Sequence, residues 1–387
     1  MIDPRLKDYS MTARQREVVQ AVIDHGSNRK AASALGSHST TIDAIIKLVK
    51  RRAADAGYSP EHDLTHPLPP GQQLHGATTL YGSEGELKLQ WIKTRADDQA
   101  RLEMIEHAVN VLAEDVKGLA KPIKPPKLSN KKLMTVYPMG DPHIGMFSWA
   151  KETGDDFDTK IARRDLGGAM THLVDCAPPS DVALITNVGD FFHMDNSLNR
   201  TQQTGNILDV DTRWPQVLEL GILAMRDCID LALRKHKQVV VINAIGNHDE
   251  HSSVMLSANI AAFYHDEGRL TVIPTTGFFN YYEFGKCLIG VTHGDKAKIQ
   301  TLDGVMAADQ PEAWGRTSHR YWYTGHIHHI SRLELKGCVA ESFRTLAAKD
   351  SWNTSMGYRS GRDMNALVLH QEFGEVARHR CDISMLS

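Results

Sequence analysis

Five short apolar runs punctuate the later part of the chain: Leu133 to Pro138, Val182 to Val188, Val239 to Ile245, Leu288 to Val291 and Tyr321 to Tyr323. They are near-continuous, so each reads as a strand buried on both faces. Earlier in the chain the period changes. Val18, Val19, Val22 and Ile23 share one face of a helix expected from Thr12 to about His25. Gly26 breaks it, Ser27 caps a second helix through Ala34 that ends at Gly36, and Ser37-His38-Ser39 opens a third. That third helix carries Ile42, Ile45, Ile46 and Val49 at helical spacing. Residues of about 72 to 94 alternate on both sides of Gly82-Ser83-Glu84-Gly85, as a β-hairpin does, with Tyr81 or Trp91 as core. A polar helix is expected from about Ala96 to Ala120, its apolar stripe at Leu102, Ile105, Val109 and Leu112 serving as a docking face. Lys121-Pro122-Ile123-Lys124-Pro125-Pro126-Lys127 then reads as a stiff basic linker. The pattern predicts three parts: a small, mainly helical domain over 1–95, a helix and Pro/Lys linker over 96–132, and an α/β domain over 133–387.

Composition alters this picture little. At 387 residues, with 41% hydrophobic and 24% charged positions, the chain has ample material for two folded units. No apolar run approaches the roughly eighteen residues of a membrane span, and Met1-Ile2-Asp3-Pro4 opens no signal peptide, so a cytoplasmic, non-membrane protein is expected. The five cysteines are scattered and lack CxxC spacing, so they read as reduced thiols. The first 132 residues lean basic and the remainder acidic, both slightly.

The chemistry lies where the runs end. In order come Gly140-Asp141-Pro142-His143, Gly189-Asp190, Gly246-Asn247-His248-Asp249, Thr292-His293-Gly294 and Gly325-His326-Ile327-His328. A strand that breaks at Gly and delivers Asp, Asn or His sets those side chains in a crevice at the sheet's C-terminal edge. Carboxylate, carboxamide oxygen and imidazole together suit divalent transition ions. One carboxylate can bridge two such ions, which about 3.5–4 Å apart activate water and neutralise phosphoryl oxygens. No single piece is specific, but the ordered conjunction is.

This set resembles the calcineurin-like metallophosphoesterase superfamily over residues of about 133 to 379. The resemblance implies a two-sheet α/β sandwich with the metal centre at strand ends. It places Asp141, His143 and His328 on one ion, Asp190 between both, and Asn247, His293 and His326 on the second. It sets His248 beside the substrate phosphate. Gly189-Asp190-Phe191-Phe192-His193 is similar to the Gly-Asp-x-Phe-His of SbcD-like nucleases of double-strand-break repair. Phosphoprotein phosphatases carry Asp then Arg where this chain has His193 and Met194. His193 and His248 are therefore the candidates for stabilising charge or protonating a leaving oxygen, since imidazole titrates near neutrality. Asp249 is a candidate for orienting a neighbouring imidazole. Manganese is the expected metal, with iron, zinc, magnesium or nickel as substitutes.

The first domain bears on the substrate. Asn28 to Thr41 resembles a helix-turn-helix, with a small-residue helix, a Gly turn and hydroxyls opening a recognition helix; the following hairpin would be its wing. Ser39, Thr40 and Asp43 are placed to face base edges, and Arg29, Lys30, Lys47, Lys50, Arg51 and Arg52 to meet phosphates. The alternative is a plain three-helix bundle for protein contact. In the second domain Arg200, Gln202, Gln203 and Arg213, the carboxylates of Glu152 to Asp158, and the aromatic and basic stretch Phe343, Arg344, Lys349, Trp352, Tyr358 and Arg359 are further candidates. His251, His265, His319 and His329 have no place in the motif set. The reading is a dimetal DNA nuclease, an exonuclease or endonuclease of replication or repair, with DNA as partner and room for a homo-oligomer. Its rivals are a phosphatase or phosphodiesterase of a nucleotide or phosphoprotein, and a DNA-binding regulator that keeps the metal fold as scaffold.

Overall fold

The computed structural model describes residues 2–55, 72–81, 87–96, 115–201, 205–275 and 277–386. The chain divides into two compact units, Met1–Ile105 and Glu106–Ser387. The first holds three helices, α1 (Ala13–His25), α2 (Asn28–Ala34) and α3 (Ser39–Asp55). Their ends follow from local chemistry. Thr12 Oγ1 accepts from Gln15 N at 3.2 Å and Ser27 Oγ from Lys30 N at 3.3 Å, satisfying first-turn donors. Gly26 ends α1 at a φ of 68°, a left-handed geometry that favours glycine. Val18, Val22, Ile42, Ile46 and Val49 close the core over Ala31 and Ala32, whose small side chains let α2 pack tightly. Strands β1 (Gln72–Tyr81) and β2 (Leu87–Ala96) pair antiparallel, with Thr79 opposite Gln90. The turn at 82–86, the side chains of Tyr81 and Trp91, and most of the helix expected over 96–120 lie outside the described residues.

The larger unit is a two-sheet α/β sandwich. One sheet has six strands in the order β13-β12-β3-β4-β5-β6: β3 (Asn130–Met139), β4 (Ser180–Asn187), β5 (Gln238–Asn243), β6 (Leu270–Val272), β12 (Asp363–His370) and β13 (Gly374–Asp382). Strands β3 to β6 run parallel, while β12 and β13 add an antiparallel flank. The second sheet has the order β10-β11-β9-β8-β7: β7 (Asn280–Phe284), β8 (Cys287–Val291), β9 (His319–Thr324), β10 (Ser331–Glu334) and β11 (Val339–Ser342). Here β8, β9 and β11 are parallel.

The period of two divides each strand between two cores. Met134 and Val136 of β3, Val240 and Ile242 of β5, and Ile289, Tyr321 and Tyr323 of the second sheet fill the space between the sheets. Tyr137, Val239 and Val241 point the other way, onto α4 (Thr159–Cys176), α5 (Trp214–Lys235) and α6 (Glu250–Phe263). Leu288 and Trp322 cover the outer face of the second sheet with Leu302 and Met306 of α7 (Leu302–Asp309). Burial on both faces explains why the sequence shows continuous runs. The segment expected as a linker is docked over its first part: Ala120 N donates to Phe263 O at 3.0 Å, Ile123 packs on the helical core, and Arg269 donates to Ile123 O at 2.7 Å. All five cysteines are free thiols. Among the described residues no helix is long and apolar enough to cross a membrane.

Candidate metal centre

Parallel pairing sets the height of the site. Met139, Asn187 and Asn243 stand opposite one another at the ends of β3, β4 and β5, so the three following loops leave the sheet level. In the second sheet Val291 stands opposite Tyr323, so the loops after β8 and β9 start together. The five motifs are those five loops, and donors arrive from both sheets. Close approach explains the motif glycines: a Cβ on Gly246 would come 2.1 Å from Asp190 Oδ1, and one on Gly325 would come 2.5 Å from Asp141 Oδ2. Asp141, His143, Asp190, His326 and His328 all have positive φ, between 42° and 67°. That conformation is costly for residues with a Cβ and concentrates where function over-determines the backbone.

The side chains converge into overlapping groups. Donor atoms of Asp141, His143 and His328 lie within 4.8 Å of one another, as do those of Asp190, His293 and His326. His143 Nε2 is 3.1 Å from His328 Nε2. His293 Nε2 is 3.1 Å from Asp190 Oδ2, 3.0 Å from Asn247 Oδ1 and 3.2 Å from His326 Nδ1. Its other nitrogen donates to Val188 O at 3.0 Å, which aims Nε2 at the cluster. His248 is fixed likewise: Nδ1 donates to His193 O at 2.9 Å, and its backbone N donates to Asp190 Oδ1 at 2.8 Å. His193 lies 3.2 Å from His143 through their Nδ1 atoms, and its ring stacks on His248. The structure thus brings all nine residues together, and His143, Asp190, His193, Asn247, His248, His326 and His328 line one cavity of about 420 Å³.

Electrostatics make this a place for positive charge. Burial, reinforced by Asp190, pushes Asp141 up to about 7 against the pull of His293. Burial also opposes charge on Asp190, but His293 and His248 outweigh it and hold that carboxylate well below its ordinary range. At His293 burial disfavours the imidazolium, yet Asp190 and Asp141 overcome it and raise the group to about 10. Burial lowers His328 to about 4 and His143 well below the usual imidazole range, so both are neutral, the form that ligates. Two enclosed carboxylates, a carboxamide oxygen and the neutral imidazoles of His143 and His328, gathered in adjoining groups, fit divalent cations.

Other candidates fall elsewhere. Asp249 orients no imidazole. It is fully buried, its oxygens accepting from Phe192 N and Gly246 N at 3.1 Å each, which ties the Asp190 loop to the Asn247 loop. Burial, with Asp190 nearby, raises it to about 8. Sequence reading missed Asp195, whose buried carboxylate accepts from His251 N, His251 Nδ1, Ser252 N and Ser252 Oγ, pinning the start of α6 behind His248. A carboxylate closing the stretch Phe191-Phe192-His193-Met194 was the available signal. Asp158 caps α4 through Ile161 N. Arg200 braces its own loop by donating to Gly205 O, and Arg213 lines a separate cavity with Trp214. Phe343 is buried, Arg344 pairs with Asp363 at 2.7 Å, and Tyr358 and His329 line the donor cavity. Gln202, Gln203 and the Trp352 side chain are outside the described residues.

In the small unit Arg29, Lys30, Ser39, Thr40, Lys47 and Arg51 are exposed, whereas Lys50 and Arg52 are half-buried. Arg52 donates to Gln15 Oε1 at 2.9 Å, so it braces α3 on α1. Asp43 accepts from Asn28 Nδ2 at 2.6 Å, tying α3 to α2.

No family model matches the chain, and no curated protein matches it in sequence. Among solved structures it is similar to a conserved protein of Streptococcus pneumoniae described as a predicted phosphoesterase. That likeness covers 65% of this chain and 99% of the other, at 12% identity and a TM-score of 0.27. Vps29 of Entamoeba histolytica, solved with Zn2+, is similar over 65% of this chain and 99% of its own, at 12% identity and a TM-score of 0.26. Likeness of this order leaves the functional reading to the residues themselves.

Proposed function

We propose that this chain is a metal-dependent phosphoesterase acting on the phosphodiesters of DNA. One observation carries the reading: two donor groups, Asp141-His143-His328 and Asp190-His293-His326, both reach a cavity that His248 also lines, with Nδ1 of His248 committed to a carbonyl. Asp141, His143 and His328 would hold one ion, Asn247, His293 and His326 the other, and Asp190 both. Bound there, two ions would supply Lewis acidity toward phosphoryl oxygens and an acidified water. The chain's own part is positioning. Val188 O fixes the His293 ring, the His193 carbonyl fixes His248, and Asp249 holds the two central loops at one spacing. His248 Nε2 is left for a substrate oxygen, to donate a hydrogen bond or a proton.

The small unit supports DNA over a small ester. Its α2, Gly36 turn and α3 follow a helix-turn-helix order, and α3 presents Ser39, Thr40, Lys47 and Arg51 to solvent. Metal analysis after reloading with manganese should approach two ions per chain. The loaded protein should hydrolyse bis(p-nitrophenyl) phosphate and DNA in preference to phosphate monoesters. Arg29, Lys30, Lys47 and Arg51 changed together to Ala should weaken DNA binding and flatten its salt dependence by a slope of roughly 0.9 per lost phosphate contact. One ion or none per intact chain, with no diester turnover, would reject the enzyme reading. DNA binding indifferent to the four changes would reassign the small unit to protein contact, and preference for monoesters would favour a phosphatase.

A further inference from the structure

Exposed apolar side chains reach the donor cavity from three loops. Most of the large apolar side chains that the larger unit leaves exposed lie on four segments: 147–149, 198–208, 327–330 and 356–358. Phe147 is 45% exposed, Trp149 51%, Leu198 76%, Ile207 74%, Met356 60% and Tyr358 44%. Three of these segments reach the cavity, and the fourth is bonded to Asp209 beside the 198–208 loop. Ile207, Ile327 and Tyr358 line the cavity itself. Phe147 N donates to Asp209 O at 3.0 Å, Ser351 Oγ to Asp209 Oδ2 at 2.6 Å, and Leu208 N to Asn199 O at 3.0 Å. Scattered exposed apolar residues are ordinary, but several of them gathered at a polar, recessed centre mark a binding surface.

We infer that this rim stacks against unpaired nucleobases flanking the scissile phosphate, so that the site takes a single strand and not a duplex. The inference rests on the phosphodiesterase reading and narrows it. Among the described residues the cavity lining contains no Lys or Arg; the cations nearby lie at its edge, Lys349 and Arg362 in an adjoining pocket that shares Tyr358 and Lys151 over the Trp149 ring at 5.4 Å. A duplex hides its bases, so the apolar rim would find no apolar partner on it. An unpaired strand can rotate its bases outward and offer apolar faces to Tyr358, Ile207 and Ile327, with Phe147 and Trp149 on the neighbouring segment for bases further along. The same chemistry could come from a dinucleotide, so length has to be tested along with pairing.

The full chain, loaded with manganese, should be assayed on a labelled oligonucleotide free of secondary structure, on its blunt duplex, on a dinucleotide and on bis(p-nitrophenyl) phosphate. Strand binding should be followed in parallel by fluorescence anisotropy. Cleavage of the single strand should exceed that of the duplex by about tenfold or more, the order expected for one or two base stacks. The double variant Ile207→Ser, Tyr358→Ser should lower strand cleavage about tenfold beyond its effect on bis(p-nitrophenyl) phosphate, and weaken strand binding alike. Tyr358→Phe, which keeps the ring, should behave as the parent. Trp149→Ser, on a separate segment, repeats the test should the double variant unfold. A dinucleotide turned over as well as the strand would mean a nucleotide-sized substrate on the same rim. Duplex cut as fast as strand, or equal losses on strand and small diester, would overturn the inference while leaving the phosphoesterase standing. Absence of all turnover would reject the phosphoesterase instead, and strand binding indifferent to the rim variants would then reject the rim as well.

Discussion

The two units obey local rules to different degrees. In the small unit Thr12 and Ser27 cap α1 and α2, and Gly26 and Gly36 hold the left-handed positions that follow them. Among its described residues no non-glycine has positive φ. In the large unit six do, and five of them are proposed metal donors. Buried carboxylates there sit close enough to shift one another, and His193 Nε2 is buried without a protein partner. The contrast teaches where each region's sequence is answering to stability and where it is answering to chemistry.

Four changes would break or sharpen that contrast. The largest concerns Asp190→Asn, which should cut phosphodiester hydrolysis by roughly ten-thousandfold, several kcal/mol of stabilisation being lost. Elemental analysis should show metal lost, while thermal unfolding of the metal-free protein stays at or above the parent's. A large fall in metal-free stability would mean the strained carboxylate serves the fold. His248→Ala should lower turnover roughly a thousandfold with both ions retained; near-parental rates would remove it from the reaction.

Acid stability tests a buried polar group outside the site. His236 is fully buried, with Nε2 2.8 Å from Tyr137 Oη and Nδ1 2.8 Å from Ser180 Oγ, and burial pushes it down to about 4. A depressed histidine contributes stability that is whole above about 6.5 and is lost as pH falls toward 4, here about 3 kcal/mol. Denaturant titrations at both ends of that window should show a shallower pH slope in His236→Gln, and an unchanged slope would place the acid sensitivity elsewhere. The smallest effect is Thr12→Ala, which should cost about 1 kcal/mol of the small unit's stability by loss of a cap. Hydrogen exchange at Val18 to Ile23 should accelerate accordingly, with hydrolysis of a small diester untouched.

Much of this was legible in the chain, for identifiable reasons. Strands β3, β4, β5, β8 and β9 are buried on both faces, so they announced themselves as apolar runs, and their donors followed in order. The flanking strands did not. β10 is Ser331-Arg332-Leu333-Glu334, and β13 carries Arg378 and Arg380 paired to Glu341, Glu375 and Asp363, so polar residues occupy positions a pattern reads as loop. Asp249 was visible but its work was not, because carboxylates that bind backbone N–H groups depend on which loops meet. The apolar rim escaped for the same reason: Ile207, Ile327 and Tyr358 are far apart in sequence and share one cavity only once the loops close.

The donors' origin has a mechanical consequence. Asp141 and His143 leave the six-stranded sheet while His328 leaves the five-stranded one, and Asp190 faces His293 and His326 across the same divide. An ion held by either group is therefore a rivet through two layers, added to the apolar core and to polar links such as Arg378 with Glu341 and His293 with Val188 O. Loading the protein at a hundred times the dissociation constant should raise its stability by about 2.7 kcal/mol, if the unfolded chain does not bind. Chelation would then loosen the sandwich at its loop edge first, and leave the far edge, closed by Leu367 and Leu369, to unfold last.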